Sequence, residues 1–149
     1  MAARTPMSSD MSGYSHSLSL RARHGTKDLS IIPTTLGMEA QRIWKRGEPR
    51  QAPAGTLLDG AYGASYCSIE FGVLTDLPQS IAAALTVLKP HSEFLQSLAE
   101  DGVQFAFFVG WFSEEQSSGG TLGVKLLQDL ADLRISLELN FYAPDQVKP

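Results

Sequence analysis

The chain has 149 residues, 43% of them hydrophobic and 19% charged, which suits a single globular domain. Its one cysteine, Cys67, excludes an internal disulfide and a cysteine-rich metal site, and no stretch is long and apolar enough to span a bilayer. The net charge of −4 argues against a nucleic-acid partner but is unevenly spread: residues 1–50 carry eight cations and four carboxylates, a net of +4, while residues 51–149 carry four and twelve, a net of −8.

Residues 1–13, MAARTPMSSDMSG, lack the apolar core of a signal peptide and read as a disordered lead, which makes the cytoplasm the default location and 14–149 the domain. Tyr14–Arg23 alternates, with Tyr14, His16, Leu18, Leu20 and Ala22 on one side and Ser15, Ser17, Ser19, Arg21 and Arg23 on the other, the pattern of a half-buried strand. Ser30 offers an N-cap to a short helix that tolerates Pro33 in its first turn and stops at Gly37, with Ile32 and Leu36 facing the sheet. A short strand is expected through Arg42–Lys45. Gly47–Ala64 holds two prolines and four glycines with little periodicity, and a connection of that length inside a compact domain tends to be functional or mobile.

Tyr66–Leu74 reads as a strand with Cys67, Ile69, Phe71 and Val73 inward. Asp76-Leu77-Pro78-Gln79 has the form of a helix start, with Ile81, Leu85 and Leu88 as the stripe that follows. Lys89-Pro90 breaks that helix, and a second one, capped by Ser92 or Lys89, carries Phe94, Leu95 and Leu98 to Gly102. Val103–Phe112 has no charge and should be the central strand, with Val103, Phe105, Phe107, Val109 and Trp111 in the core. After a solvated loop, Thr121 opens a helix with Leu122, Leu126, Leu130 and Leu133 on one face. Arg134–Tyr142 is the last strand, with Ile135, Leu137, Leu139 and Phe141 inward.

The resulting order is β-α-β-β-α-α-β-α-β. It predicts an α+β fold: a mixed, largely antiparallel sheet of four or five strands with helices packed on one face, a ferredoxin-like core order with one helix and strand appended. The run Leu36-Gly37-Met38, followed by Arg42-x-Trp44-x-x-Gly47-Glu48, resembles the bacterial domain of unknown function 4279 family, as does the final passage from Leu130-Ala131-x-Leu133 to Leu139-x-Phe141-Tyr142. The resemblance covers roughly Leu18–Tyr142. It implies the fold and brings no activity or catalytic residue.

The residues themselves offer no catalytic constellation. The three histidines, His16, His24 and His91, lack helical zinc spacing, Cys67 lies inward on its strand, and no nucleophile elbow or phosphate loop is present. Adjacent carboxylates such as Glu114-Glu115 read as solvated surface. Two segments stand out. Arg42, Trp44, Lys45, Arg46 and Arg50, with Tyr62 from the long loop, form a basic stretch with aromatics that could receive an anionic small molecule or an acidic protein segment. The uncovered sheet face should carry Tyr66, Phe108, Phe112 and Tyr142, a surface for a protein partner or a homodimer. The expectation is a cofactor-free binding or regulatory protein. The alternatives are a small enzyme or anion binder with its site between the 47–64 loop and the sheet, and a toxin-neutralising protein that works through a charged surface.

Overall fold

The computed structural model describes residues 13–144. Apart from Gly13, the lead lies outside the described residues. Gly13 is buried, at a φ of 71°, and its carbonyl accepts from Glu114 N–H at 2.7 Å, so this residue, expected as the last of the lead, belongs to the fold.

The strands are β1 (Tyr14–His24), β2 (Arg42–Trp44), β3 (Pro49–Gln51), β4 (Leu57–Ala61), β5 (Ser65–Phe71), β6 (Gln104–Ser113) and β7 (Ile135–Tyr142). The helices are α1 (Ile31–Leu36), α2 (Leu77–Leu88), α3 (Ser92–Glu100) and α4 (Val124–Asp132), with a 3-10 turn over Lys89–His91 where Pro90 interrupts the α2–α3 run. Five strands form one sheet in the order β2-β5-β1-β6-β7. Every neighbouring pair is antiparallel except β6 with β7. The first four strands thus have the expected ferredoxin-like arrangement, and α4 returns the chain so that β7 is added in parallel beside β6.

The core lies between this sheet and the helices. From β1 come Leu18, Leu20 and Ala22, from β5 Cys67, Ile69 and Phe71, and from β6 Phe105, Phe107, Val109 and Trp111. They meet Ile32 and Leu36 of α1, Ile81, Leu85 and Leu88 of α2 and Leu95 and Leu98 of α3. Phe107 is 0% exposed and meets Phe71 edge-on at 5.9 Å between ring centres. The predicted start of α2 is realised, since Asp76 Oδ1 accepts Gln79 N–H at 3.0 Å. Gly37 closes α1 in the left-handed region, as its lack of a Cβ allows.

Several boundaries move. Ser30 makes no capping bond; its own N–H instead donates to Asp28 Oδ1 at 2.9 Å, which helps hold the Asp28 carboxyl below its usual range. The last helix begins at Val124 rather than Thr121, because Gly123 is still extended. Arg134 belongs to the turn rather than to the strand: its φ of 59° ends α4 in the left-handed region. β5 stops at Phe71, so Val73 is exposed, not inward.

Two larger corrections bear on function. Gly47–Ala64 is not an irregular loop: β3 and β4 make an antiparallel ribbon with a register irregularity between Pro49 and Gln51. On β7, α4 covers only the first half. Ile135 is buried, whereas Leu139 is 43% exposed and Phe141 65%.

Candidate functional site

The strand pairing decides what the uncovered face of the sheet carries, because residues directly opposite each other in neighbouring strands point to the same side. Trp44 is opposite Tyr66, and Tyr66 opposite Arg23. One step along, Arg42, Ser68, Arg21 and Ala106 align, and beyond them Glu70, Ser19, Phe108 and Glu138. Ser17 then meets Gly110, and at the far end Ser15, Phe112 and Tyr142 align. The basic segment and the aromatic face, separate in the sequence, therefore share one surface.

At the β2 edge the aromatic rings stack in a row. Trp44 lies 4.1 Å from Tyr62 and 4.6 Å from Tyr66, and its indole Nε1–H donates to the Ala64 carbonyl at 3.1 Å. Arg42 sits 4.9 Å from the Trp44 ring and donates to the Gln51 carbonyl. Tyr62 is committed to the ribbon, since its hydroxyl accepts from Gln51 N–H and donates to Gln51 O. The gap between ribbon and sheet is thus filled by the ribbon's own anchor.

Of the predicted cluster, Arg42, Trp44 and Tyr62 come together and the others do not. Lys45 lies near Asp28, toward α1, and contributes to the lowered pKa of that carboxyl after the Ser30 hydrogen bonds. Arg46 is exposed, and its backbone N–H donates to Ser65 Oγ. Arg50 donates to the Asp59 carbonyl across the ribbon. The four aromatic residues expected as an interface are also divided. Tyr66 belongs to the Trp44 stack, Phe108 lies under Arg21, and only Phe112 and Tyr142 stack on each other, at 4.9 Å.

Arg21, between these two ends, is the residue the sequence did not single out. Its guanidinium carbon lies 3.6 Å above the centre of the Phe108 ring, and its Nε is enclosed with no hydrogen-bond acceptor among the described residues. A shallow cavity of about 130 Å³ opens here, lined by Ser17, Ser19, Arg21, Gln41, Glu70 and Phe108. Opposite Ser17, Gly110 leaves the room that this side chain and the Phe112 ring take up, since a Cβ there would lie 2.6 Å from Ser17 Oγ and 3.1 Å from the Phe112 ring. The signal for Arg21 in the sequence was its outward place in an alternating strand. Which residues of β5 and β6 flank it depends on register, which alternation does not give.

Other clusters offer less. A wider depression of about 380 Å³ includes Arg23, Arg134 and Glu138, but its charges are paired, Arg23 with Glu138 at 3.4 Å and Arg134 with Glu100 at 3.7 Å. On the helical side an apolar cavity of about 230 Å³ lies between Leu77, Trp111, Leu122, Leu139 and Phe141, with no charged group in its wall.

His16 Nε2 is 2.7 Å from Ser80 Oγ, a spacing that invites comparison with a nucleophile and its base. Ser80 is 0% exposed, however. Its oxygen accepts Leu74 N–H at 2.7 Å and donates to the Asp76 carbonyl at 3.1 Å, so the pair pins the start of α2 to β1. Burial lowers the His16 pKa against a smaller opposing pull from Asp76. Nearby, burial raises that of Tyr14, whose hydroxyl accepts Leu77 N–H and whose ring stacks on Trp111 at 3.7 Å. Burial also pushes the Cys67 thiol up to about 11, which keeps it protonated at neutral pH. Among the described residues no group of three or more His, Cys, Asp or Glu could hold a metal, and no helix is long and apolar enough to cross a membrane. No protein-family model, curated protein or solved structure matches this chain.

Proposed function

We propose that the chain is a cytoplasmic binding protein, without chemistry of its own, that receives a small anionic group such as a carboxylate or phosphate at Arg21 on the open sheet face. The observation that carries this reading is the Arg21 guanidinium, stacked on Phe108 and lining a polar cavity, with its Nε enclosed and without an acceptor among the described residues. A guanidinium in such a wall is a permanently charged donor, and a carboxylate or phosphate oxygen of a guest gives it a charge-assisted hydrogen bond. The hydroxyls of Ser17 and Ser19 and the Gln41 amide stand round the same cavity as further donors, and Glu70 provides an acceptor for a hydroxyl or ammonium of the guest.

Titration calorimetry with inorganic phosphate and short carboxylic acids tests this. Saturable binding is expected, weakened at least tenfold, about 1.4 kcal/mol, in Arg21→Met and unchanged in Arg46→Ala. Absence of binding, or equal binding by Arg21→Met, overturns the reading.

A second reading, an acidic protein segment as partner, is favoured by Arg42 beside the half-buried Trp44 at the sheet edge. A toxin to be neutralised is one partner of that chemistry. Membership of the domain of unknown function 4279 family is likewise proposed, on the Leu36–Met38 and Arg42–Glu48 motifs; it adds no reaction.

A further inference from the structure

The two edges of the sheet are unlike. The β2 edge is three residues long, and beside it the Trp44–Tyr62 stack holds the β3–β4 ribbon. The β7 edge is eight residues long, and among the described residues no strand pairs with its outer side. Exposed edges of soluble proteins are normally blunted by proline, lysine, a bulge or short length. β7, ISLELNFY, has none of these, and its single charge, Glu138, is engaged by Arg23. In its second half Leu139 and Phe141 stand exposed on the helical side, and Tyr142 is 47% exposed on the other, beside Asn140.

We infer that the β7 edge pairs with β7 of a second copy of this chain, antiparallel about a two-fold axis, so that the two five-stranded sheets become one continuous sheet. The strand is its own complement. A two-fold perpendicular to the sheet keeps each face on its own side, and it pairs residues whose numbers share parity. Centring the axis on Glu138 would set that carboxylate against itself, which like charges directly opposite disfavour. Centring it on Leu139 sets Leu139 against Leu139 of the second copy and Leu137 against Phe141, all on the helical side. On the other side Glu138 meets the Asn140 amide and Ser136 meets Tyr142. That register joins the exposed apolar groups, brings no like charges together and satisfies a row of backbone donors and acceptors that no strand among the described residues pairs.

The association is independent of any guest at Arg21 and is tested separately, by light scattering after size exclusion of the full chain. The expected mass is twice that of one chain. Leu139→Lys and Leu139→Glu should each be folded by circular dichroism and monomeric, and mixing the two should restore a species of doubled mass, because opposite charges then meet at the axis. Phe141→Asp, at a position that is mostly exposed, gives a second disrupting variant should the first pair not fold. Phe112→Ser and Tyr66→Ser, on the open face, should leave the dimer intact. A wild-type chain that stays monomeric at several hundred micromolar overturns the inference. So does a dimer untouched by the β7 variants, or one abolished by the open-face variants alone.

Discussion

His16 is held by burial in the form it has at neutral pH. Its pKa lies below the ordinary histidine value because the charged ring is poorly hydrated between β1 and the start of α2, and Asp76 offsets only part of this. The sign for stability follows. As pH falls through the ordinary histidine range the unfolded chain takes a proton first, so the contribution of this group to stability is intact above that range and is lost toward the lower, folded pKa. His16→Gln should therefore show a shallower loss of stability between about pH 7 and 5 in urea titrations. Equal pH slopes for the two proteins would show that His16 does not titrate with folding. Phe107 is fully enclosed and lies against Phe71, so Phe107→Ala should cost about 3–5 kcal/mol by chemical denaturation. A loss below about 1 kcal/mol would contradict that burial.

Among the elements, those whose evidence is local were legible. Asp76 and Gln79 announced the start of α2 because a cap is a matter of three residues, and the alternation of β1 and β6 named their core faces because pleating has a period of two. The ribbon over 49–61 was not legible: its strands are short and lie at the surface, so no apolar alternation marks them, and an irregular register interrupts what pairing there is. The exposure of Leu139 and Phe141 was hidden for another reason. Their alternation is that of a buried strand, and the alternation does not tell that α4 leaves them uncovered. For the site, Trp44 and Tyr62 were legible as partners by composition, whereas Arg21 acquires its importance from strands some fifty and ninety residues away in the chain. The ribbon has few ties to the rest of the domain beyond the Trp44 stack. Trp44→Ala should raise hydrogen exchange and proteolytic cleavage over residues 47–63 while β1 and β6 keep their protection. Loss of protection throughout would mean that the stack supports the whole sheet.

Across the whole molecule the uneven charge of the sequence becomes a difference between faces. The basic first third supplies Arg21, Arg23 and Arg42 to the open side of the sheet, while Asp129, Asp132, Glu93 and Glu100 belong to the helical layer. Asp129 takes hydrogen bonds from Lys125 and from Lys89, which hold its carboxyl below the usual range and tie the end of α2 to α4. β1 leaves the ribosome first, yet it lies in the middle of the finished sheet, and its neighbours are β5 and β6. A nascent chain that has reached Phe71 can pair only one side of β1; the other side has no partner before Gln104 and is not fully paired until Ser113 has emerged. The first strand made must therefore wait for most of the translation of the domain before its hydrogen bonds are complete. Closing such distant pairs costs chain entropy before burial repays it, so the sheet is completed late and from the β2 edge toward β7.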